Sequence, residues 1–118
     1  MSKKSLQSKT DFLLDMCNNI ANITKRHGGV TAALEDYEGQ MAILMGIAQI
    51  GETLKKLDDN IVAEYGLKED KEGAYFTRNY IVHDYEGVDL AFIDNIVRHH
   101  LPELEKKIIA LSQSLNAD

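Results

Sequence analysis

The segment Arg78–Tyr85, with the sequence Arg-Asn-Tyr-Ile-Val-His-Asp-Tyr, combines side chains that suit reactions at a phosphodiester. Arg78 carries a permanent charge and a planar set of donors that can hold a phosphate. His83 can take up or release a proton near neutral pH, and Tyr85 offers a hydroxyl group. Residue types alone favour an ordinary exposed stretch of helix over an active site, so the surrounding sequence must decide.

The composition limits the class of protein. With 118 residues, 44% of them hydrophobic, we predict one globular domain over residues 1–118. The formal net charge of −6 argues against binding nucleic acid through overall charge, so a nucleic-acid site would have to be a local basic cleft. The candidate cations for such a cleft are Lys25-Arg26, Arg78 and Arg98-His99-His100.

Targeting and redox signals point to a cytoplasmic protein. The N-terminal residues are basic, but no apolar segment follows them, and no apolar run approaches the roughly 18 residues of a membrane span. Cys17 is the single cysteine, so no internal disulfide can form, which suits a reducing cytoplasm. Because Cys17 falls on an apolar helix face, we interpret it as a core residue. We expect no contact with a membrane.

Apolar residues recur at helical spacing along nearly the whole chain, and no segment alternates with period two, which predicts an all-α fold. The stripes indicate a bundle of four long helices and a short one. The first helix ends at His27-Gly28-Gly29, and the second runs from a Thr31 cap to Leu57. A short third helix covers 58–65 before Gly66. The fourth runs from about Asp70 to His83, and the last follows an Asp89 cap to Leu115. Pro102 interrupts the last stripe without changing its phase, which predicts a helix kinked at Pro102 or two helices in line.

Glycines inside the second long helix need an explanation. Gly39, Gly46 and Gly51 each cost roughly 1 kcal/mol relative to alanine in a helix interior. The cost is easiest to understand where another backbone approaches closely. Together with the polar face of the fourth helix, these glycines suggest close packing across a two-fold axis.

The motif and its flanks resemble the HEPN-fold proteins of the HepT-like group. The family motif is Arg, four residues, His, one residue, Tyr; Arg78, His83 and Tyr85 match it, and Asn79 matches the polar residue that often follows the arginine. Further matches, over a resemblance that spans about residues 10–110, are Ile50-Gly51-Glu52, Tyr85-Glu86-Gly87-Val88-Asp89 and Leu101-Pro102-Glu103-Leu104. The lead-in 73–77 lacks the tryptophan and the Gly-Met pair of many relatives, a difference that we attribute to packing.

The resemblance implies a fold, a reaction and partners. It implies a HEPN-type helical bundle that forms a homodimer, in which two motifs meet at one composite site. It implies a metal-independent endoribonuclease, without a cofactor, that cleaves RNA by attack of the 2′-hydroxyl, with Arg78, Asn79 and His83 as catalytic residues. It also implies the toxin component of a type VII-like toxin–antitoxin module. The cognate minimal nucleotidyltransferase, the antitoxin, would silence the nuclease by adding AMP to Tyr85.

The residue chemistry agrees with this scheme but exposes a geometric difficulty. His83 can act as the general base, a contribution of about 10²- to 10⁴-fold, and Arg78 can stabilise charge on phosphoryl oxygens. Asn79 and His83, four residues apart, share a helix face. Five residues advance about 500°, so Arg78 and His83 point about 140° apart on a regular helix. The reach of the arginine, a distortion near His83 or a partner subunit would each resolve this.

Other functions compete with the nuclease. One is a non-catalytic HEPN subunit that binds nucleotide or partner beside a nucleotidyltransferase, and another is a purely structural helical dimer. No His-x-x-x-His or Cys-x-x-Cys pattern exists, so we predict no metal site.

Several side chains near the motif have two interpretations. For Glu52, a buried hydrogen-bonding role and a catalytic role remain open. Arg98-His99-His100 suits a basic helix end better than an RNA-facing patch. Tyr65, Tyr75 and Tyr80 are interpreted as packing residues rather than base-stacking platforms.

Overall fold

The computed structural model describes residues 1–117, and the fold over these residues is all-α, as predicted. The helices, in chain order, are α1 (Lys3–Arg26), α2 (Val30–Glu35), α3 (Tyr37–Lys55), α4 (Asp59–Glu64), α5 (Lys68–His83), α6 (Leu90–Asn95) and α7 (Leu101–Leu115). A short 3-10 turn, Tyr85–Gly87, follows α5, and a π-helical turn, Ile96–His100, joins α6 to α7. The core lies between α1, α3, α5 and the α6–α7 run, and it includes Leu13, Ile20, Ile43, Leu54, Ile81, Ile93 and Ile108.

The first helix ends where the sequence predicted. His27 is the C-cap residue of α1, and its ring nitrogen Nδ1 lies 2.8 Å from the Ile23 carbonyl oxygen. Gly28 follows with a φ of 89°, a left-handed conformation that glycine adopts without strain. The helix begins earlier than its apolar stripe, at the Ser2 cap, whose hydroxyl accepts a hydrogen bond from the Ser5 N–H. The early start places Cys17 in the middle of α1.

Cys17 is a core residue, as predicted. Its side chain belongs to the hydrophobic core and is almost fully buried. Burial raises the pKa of the Cys17 thiol to about 11, with a smaller contribution from the charge of Glu105. The thiol is therefore protonated at neutral pH and poorly suited to nucleophilic chemistry.

The second long helix is divided, which corrects the continuous helix predicted from Thr31 to Leu57. Asp36 has extended backbone angles between α2 and α3, and its carboxylate accepts a hydrogen bond of 3.0 Å from the Gly39 N–H. Asp36 thus caps α3. The N-cap of α2 is Gly29, so the prediction that Thr31 is a cap was wrong. The Thr31 hydroxyl instead donates to the Asp94 carboxylate at 3.2 Å and ties α2 to α6.

The glycines of α3 do mark close approaches, but within one chain. A Cβ on Gly51 would collide with the backbone carbonyl of Ala74 in α5, and one on Gly39 would collide with the backbone of Ala33 in α2. At Gly46 the close neighbour is the Ile20 side chain. These contacts account for the glycines within one chain, so the glycines no longer support packing across a two-fold axis, which stays a prediction.

The last predicted helix has an unusual turn directly before its proline. The helical run continues from α6 through the π-helical turn into α7, and the Leu101 N–H donates to the Ile96 carbonyl five residues back. Proline has no N–H and its ring crowds the carbonyl four residues earlier, here that of Arg98. The wider π turn gives the chain room before Pro102, which lies in the first turn of α7.

Candidate active site

The motif lies on α5, and the neighbouring helix α3 determines what surrounds it. Three cross-helix contacts fix the register: Lys71 donates to the Leu57 carbonyl at 2.8 Å, Lys55 lies over the Tyr75 ring, and Arg78 pairs with Glu52. As residue numbers rise along α5 they fall along α3, so the two helices are antiparallel. The contact at Gly51 brings the two backbones close enough for these short side-chain contacts.

Arg78 is held from two sides. Its Nε lies 3.0 Å from Oε2 of Glu52, and its Nη1 donates to Oδ1 of Asn79 at 2.8 Å. Both Arg78 and Glu52 remain about one third exposed, with side-chain accessibilities of 31% and 37%. In residues 1–117 no acceptor hydrogen-bonds to Nη2 of Arg78, so that end of the guanidinium can still bind a ligand.

The Glu52 contact is an ion pair rather than a hydrogen bond. Oε2 is buried and, within the described part of the chain, receives no hydrogen bond with acceptable geometry, although Nε of Arg78 is only 3.0 Å away. The distance supports electrostatic attraction, while the N–H direction does not support a bond along it. The geometry supports a role that the sequence did not suggest, in which the charge of Glu52 holds the guanidinium in place.

His83 stands apart from Arg78. It is the last residue of α5, it is exposed, and no hydrogen bond to its ring is found among residues 1–117. The backbone leaves the helical conformation only at Asp84, so a distortion before His83 does not bring the two side chains together. The Arg78 guanidinium carbon lies 5.8 Å from the centre of the Tyr75 ring, and the described contacts of Arg78 do not include His83. One chain therefore does not assemble Arg78 and His83 into one cluster.

Tyr85 begins the 3-10 turn that follows α5 and is 44% exposed. The turn is anchored by Tyr80, whose hydroxyl oxygen accepts a hydrogen bond of 2.7 Å from the Asp89 N–H. The Tyr80 ring also meets Phe92 edge to face, with ring centres 5.9 Å apart. Tyr80 is thus a packing residue, as predicted, and it anchors the turn that holds the exposed Tyr85.

The Arg98-His99-His100 segment contains a structural arginine. Arg98 Nε lies 2.5 Å from the Asp94 carboxylate, and Nη2 donates to the Thr31 hydroxyl at 3.0 Å. The hydrogen bond from Arg98 lowers the pKa of Asp94 below its usual value. Arg98 therefore joins α2 to the end of α6, while His99 and His100 are exposed.

Sequence reasoning missed Lys55 and treated Tyr75 as a packing residue. Lys55 Nζ lies 4.0 Å from the centre of the Tyr75 ring, and the Arg78 guanidinium carbon lies 5.8 Å from the same centre. The available signal was spacing: Lys55 follows Glu52 by three residues, and Tyr75 precedes Arg78 by three. That signal becomes informative only once the antiparallel register is known.

Comparisons with known proteins show the family of the chain. The sequence model of the ribonuclease HepT-like family matches residues 13–111, and the chain belongs to that family. It is also similar to a protein of Methanocaldococcus jannaschii named "Putative RNase", with 26% identity over 120 aligned positions that cover the whole chain and 96% of the relative. No solved structure matches the chain.

Two further findings describe the surface and the ligand chemistry. None of the helices in residues 1–117 is both long and apolar enough to span a membrane. The same residues contain no group of three or more His, Cys, Asp or Glu side chains placed to hold a metal ion.

Proposed function

We propose that this protein is a metal-independent endoribonuclease whose site is completed by two copies of the chain. The observation that carries the proposal is the separation of Arg78, held by Glu52 with donors to spare, from an uncommitted His83 on the same regular helix. An isologous interface places both copies of one surface patch against each other. The Arg78 of one chain can then face the His83 of the other.

Exposed apolar side chains support a dimer at this place. Tyr37, Met41 and Met45 follow one another at four-residue intervals on α3 and are 74%, 44% and 60% exposed. Val82, on α5, is 53% exposed. The antiparallel register that pairs Arg78 with Glu52 places Val82 level with Ala48 of α3. Exposed apolar side chains on α3 and at the end of α5 suit an interface better than water.

The reaction follows from these groups. His83 of one chain takes the proton from the RNA 2′-hydroxyl, and the 2′-oxygen forms a bond to the adjacent phosphorus. The bond from phosphorus to the 5′-oxygen breaks, and His83 passes the proton that it took up to that oxygen, so one His83 serves first as base and then as acid. The products are a 2′,3′-cyclic phosphate and a 5′-hydroxyl. Arg78 stabilises the negative charge on the phosphoryl oxygens, and the amide of Asn79 can orient Arg78 or the phosphate.

We further propose that the protein is the toxin of a type VII-like toxin–antitoxin module that acts on cytoplasmic RNA. A cognate minimal nucleotidyltransferase would transfer AMP to Tyr85. The exposed hydroxyl in a turn after α5 supports this, because a modifying enzyme can reach it. The added phosphodiester could pair with Arg78 and occupy the place of the RNA phosphate.

Cleavage of labelled RNA in excess EDTA tests the nuclease. We expect wild-type cleavage to persist, and Arg78→Ala and His83→Ala to abolish it while circular dichroism remains unchanged. Mixing the two variants should restore part of the activity, because one of the mixed sites keeps Arg78 from one chain and His83 from the other. Loss of wild-type activity in EDTA, or full activity in either variant, would contradict the mechanism. A monomer with full activity by sedimentation would contradict the composite site.

A further inference from the structure

Lys55 and Tyr75 form a second contact across the α3–α5 seam, one helical turn from the Glu52–Arg78 pair. The Lys55 ammonium lies 4.0 Å from the centre of the Tyr75 ring, within cation–π range, and the Arg78 guanidinium carbon lies 5.8 Å from the same centre. One aromatic ring therefore contacts two cations. The ring links the candidate catalytic arginine to a lysine on a different helix.

In the described part of the chain, Lys55 has an aromatic ring, and not a carboxylate, as its partner. The side chains of Lys71, Lys106, Lys107 and Arg98 each lie within 4.0 Å of a carboxylate. Within residues 1–117 no carboxylate lies that close to Lys55, which is exposed in the last turn of α3. A lysine in a last helical turn also interacts favourably with the helix dipole, but a fully solvated ammonium would satisfy that interaction. The ring instead fixes an unneutralised charge beside Arg78.

We propose that Lys55 binds the phosphate next to the one held by Arg78, and that Tyr75 is a positioning residue for both cations. The inference rests on the proposed function and names its substrate class, single-stranded RNA. In-line attack by a 2′-hydroxyl requires a backbone that can leave the A-form geometry, which a single strand permits. Lysine donates in three directions and accepts nothing, so it suits a phosphate whose orientation varies. Two adjacent cations thus give a protein of net charge −6 the local basic site that RNA binding requires.

The test measures binding separately from cleavage. The probe is a short 2′-O-methyl oligoribonucleotide, which cannot be cleaved by 2′-hydroxyl attack, and its Kd is measured by fluorescence anisotropy over a range of KCl concentrations. Removing one lysine–phosphate interaction with a single strand reduces the slope of log Kd against log salt by about 0.7. We expect this reduction for Lys55→Gln, together with a higher KM and unchanged kcat for cleavable RNA. Lys55→Arg should restore the slope.

Lys56→Gln is the matched control, because it removes the same charge at the next position, where no ring contact is found among residues 1–117. An equal slope change in Lys56→Gln and Lys55→Gln would overturn the proposal, since overall charge would then explain both. If the wild-type protein binds and cleaves RNA but Lys55→Gln leaves the slope of log Kd against log salt unchanged, this inference alone is overturned. A wild-type protein that neither binds nor cleaves RNA would overturn the proposed function as well.

The role of Tyr75 is tested by a double-mutant cycle. Tyr75→Phe keeps the ring and should keep wild-type affinity, whereas Tyr75→Leu should weaken RNA binding. Because Tyr75 acts partly through Lys55, Tyr75→Leu should weaken binding less in the Lys55→Gln background than in wild type. Strictly additive effects would show that the ring does not position the lysine. Thermal unfolding of each variant identifies any loss of fold. If a Tyr75 variant does not fold, the variants of Lys55 and Lys56 still test whether Lys55 binds a phosphate.

Discussion

Replacement of Glu52 by glutamine tests whether the arginine must be held in place. Glu52→Gln keeps the size and shape of the side chain but removes the charge that faces Nε of Arg78 at 3.0 Å. The Oε2 atom is buried, so an amide NH2 group in its place would face the N–H of Arg78 Nε. Two donors would then point at each other, and neither would have an acceptor there. We expect the guanidinium to leave its present position and to spend most of its time in other rotamers.

The expected loss of stability is small. Two unit charges about 4 Å apart attract by about 4 kcal/mol at an effective dielectric constant of 20. Both side chains are about one third exposed, however, and measured pairs in such positions contribute about 0.5–1 kcal/mol after screening and side-chain entropy. We therefore expect Tm to fall by about 2–4 °C. We expect kcat to fall about tenfold, equivalent to about 1.4 kcal/mol of transition-state stabilisation, because Glu52 acts through Arg78.

The assay compares initial rates of RNA cleavage and thermal unfolding in wild type, Glu52→Gln and Glu72→Gln. Glu72 is an exposed carboxylate on α5 and controls for the change in net charge. A double mutant with Arg78→Lys completes the cycle, because the lysine cannot use the same geometry and Glu52→Gln should then have little further effect. Wild-type kcat in Glu52→Gln with the expected fall in Tm would refute the positioning role. A loss of activity that persists undiminished in the Arg78→Lys background would show that Glu52 acts on the RNA directly.

Three further predictions follow from the described contacts. Gly51→Ala should lower the free energy of unfolding by about 1–3 kcal/mol, because its Cβ would meet a backbone carbonyl of α5. Gly73→Ala has open space around the new Cβ and should raise the free energy of unfolding by about 0.5–1 kcal/mol. Urea titrations measure both changes. The hydrogen bond from the Gly39 N–H, and then the contact with His27, lower the pKa of Asp36 in the folded protein. The charge of Asp36 therefore stabilises the fold above the usual carboxyl pKa of about 4. This contribution is lost as the pH falls through the lower pKa of the folded state. The Tm advantage of wild type over Asp36→Asn should therefore shrink in acid, and a constant difference would contradict this. Intact-mass spectrometry after incubation with the cognate nucleotidyltransferase, ATP and magnesium should show added AMP on wild type but not on Tyr85→Phe, and modification of that variant would exclude Tyr85 as the acceptor.

The helices that the sequence predicted well are those with strong local signals at their ends. His27-Gly28 ends α1 and Asp89 caps α6, since each signal needs only the residues beside it. The break at Asp36 was missed because apolar residues on both sides keep a helical period through it. The π-helical turn before Pro102 was missed for a related reason: one wider turn changes the hydrogen-bond pattern but leaves the apolar stripe in phase.

For the candidate site, the sequence identified residue types but not their directions. The spacing from Arg78 to His83 already implied divergent side chains, and the regular helix retains that divergence. Glu52 stood out beside the glycine, yet its partner depended on which backbone approached Gly51. That information is not local, because only the packing of α5 on α3 specifies it. Lys55 carried no signal of its own until Tyr75 was placed beside it.

The close approach at Gly51 connects the fold to the proposed reaction. With a larger residue there, α3 and α5 would separate, and neither Glu52 nor Lys55 would reach across to α5 at its present distance. The Glu52 contact holds the Arg78 side chain against α3, whereas His83 is the exposed last residue of α5. The packing that orders the arginine therefore also keeps it away from the histidine of its own chain. Under the proposed mechanism such a nuclease is inactive as a separate chain and acquires its activity on pairing, so the proposed composite site and the proposed positioning role of Glu52 would belong to one mechanism.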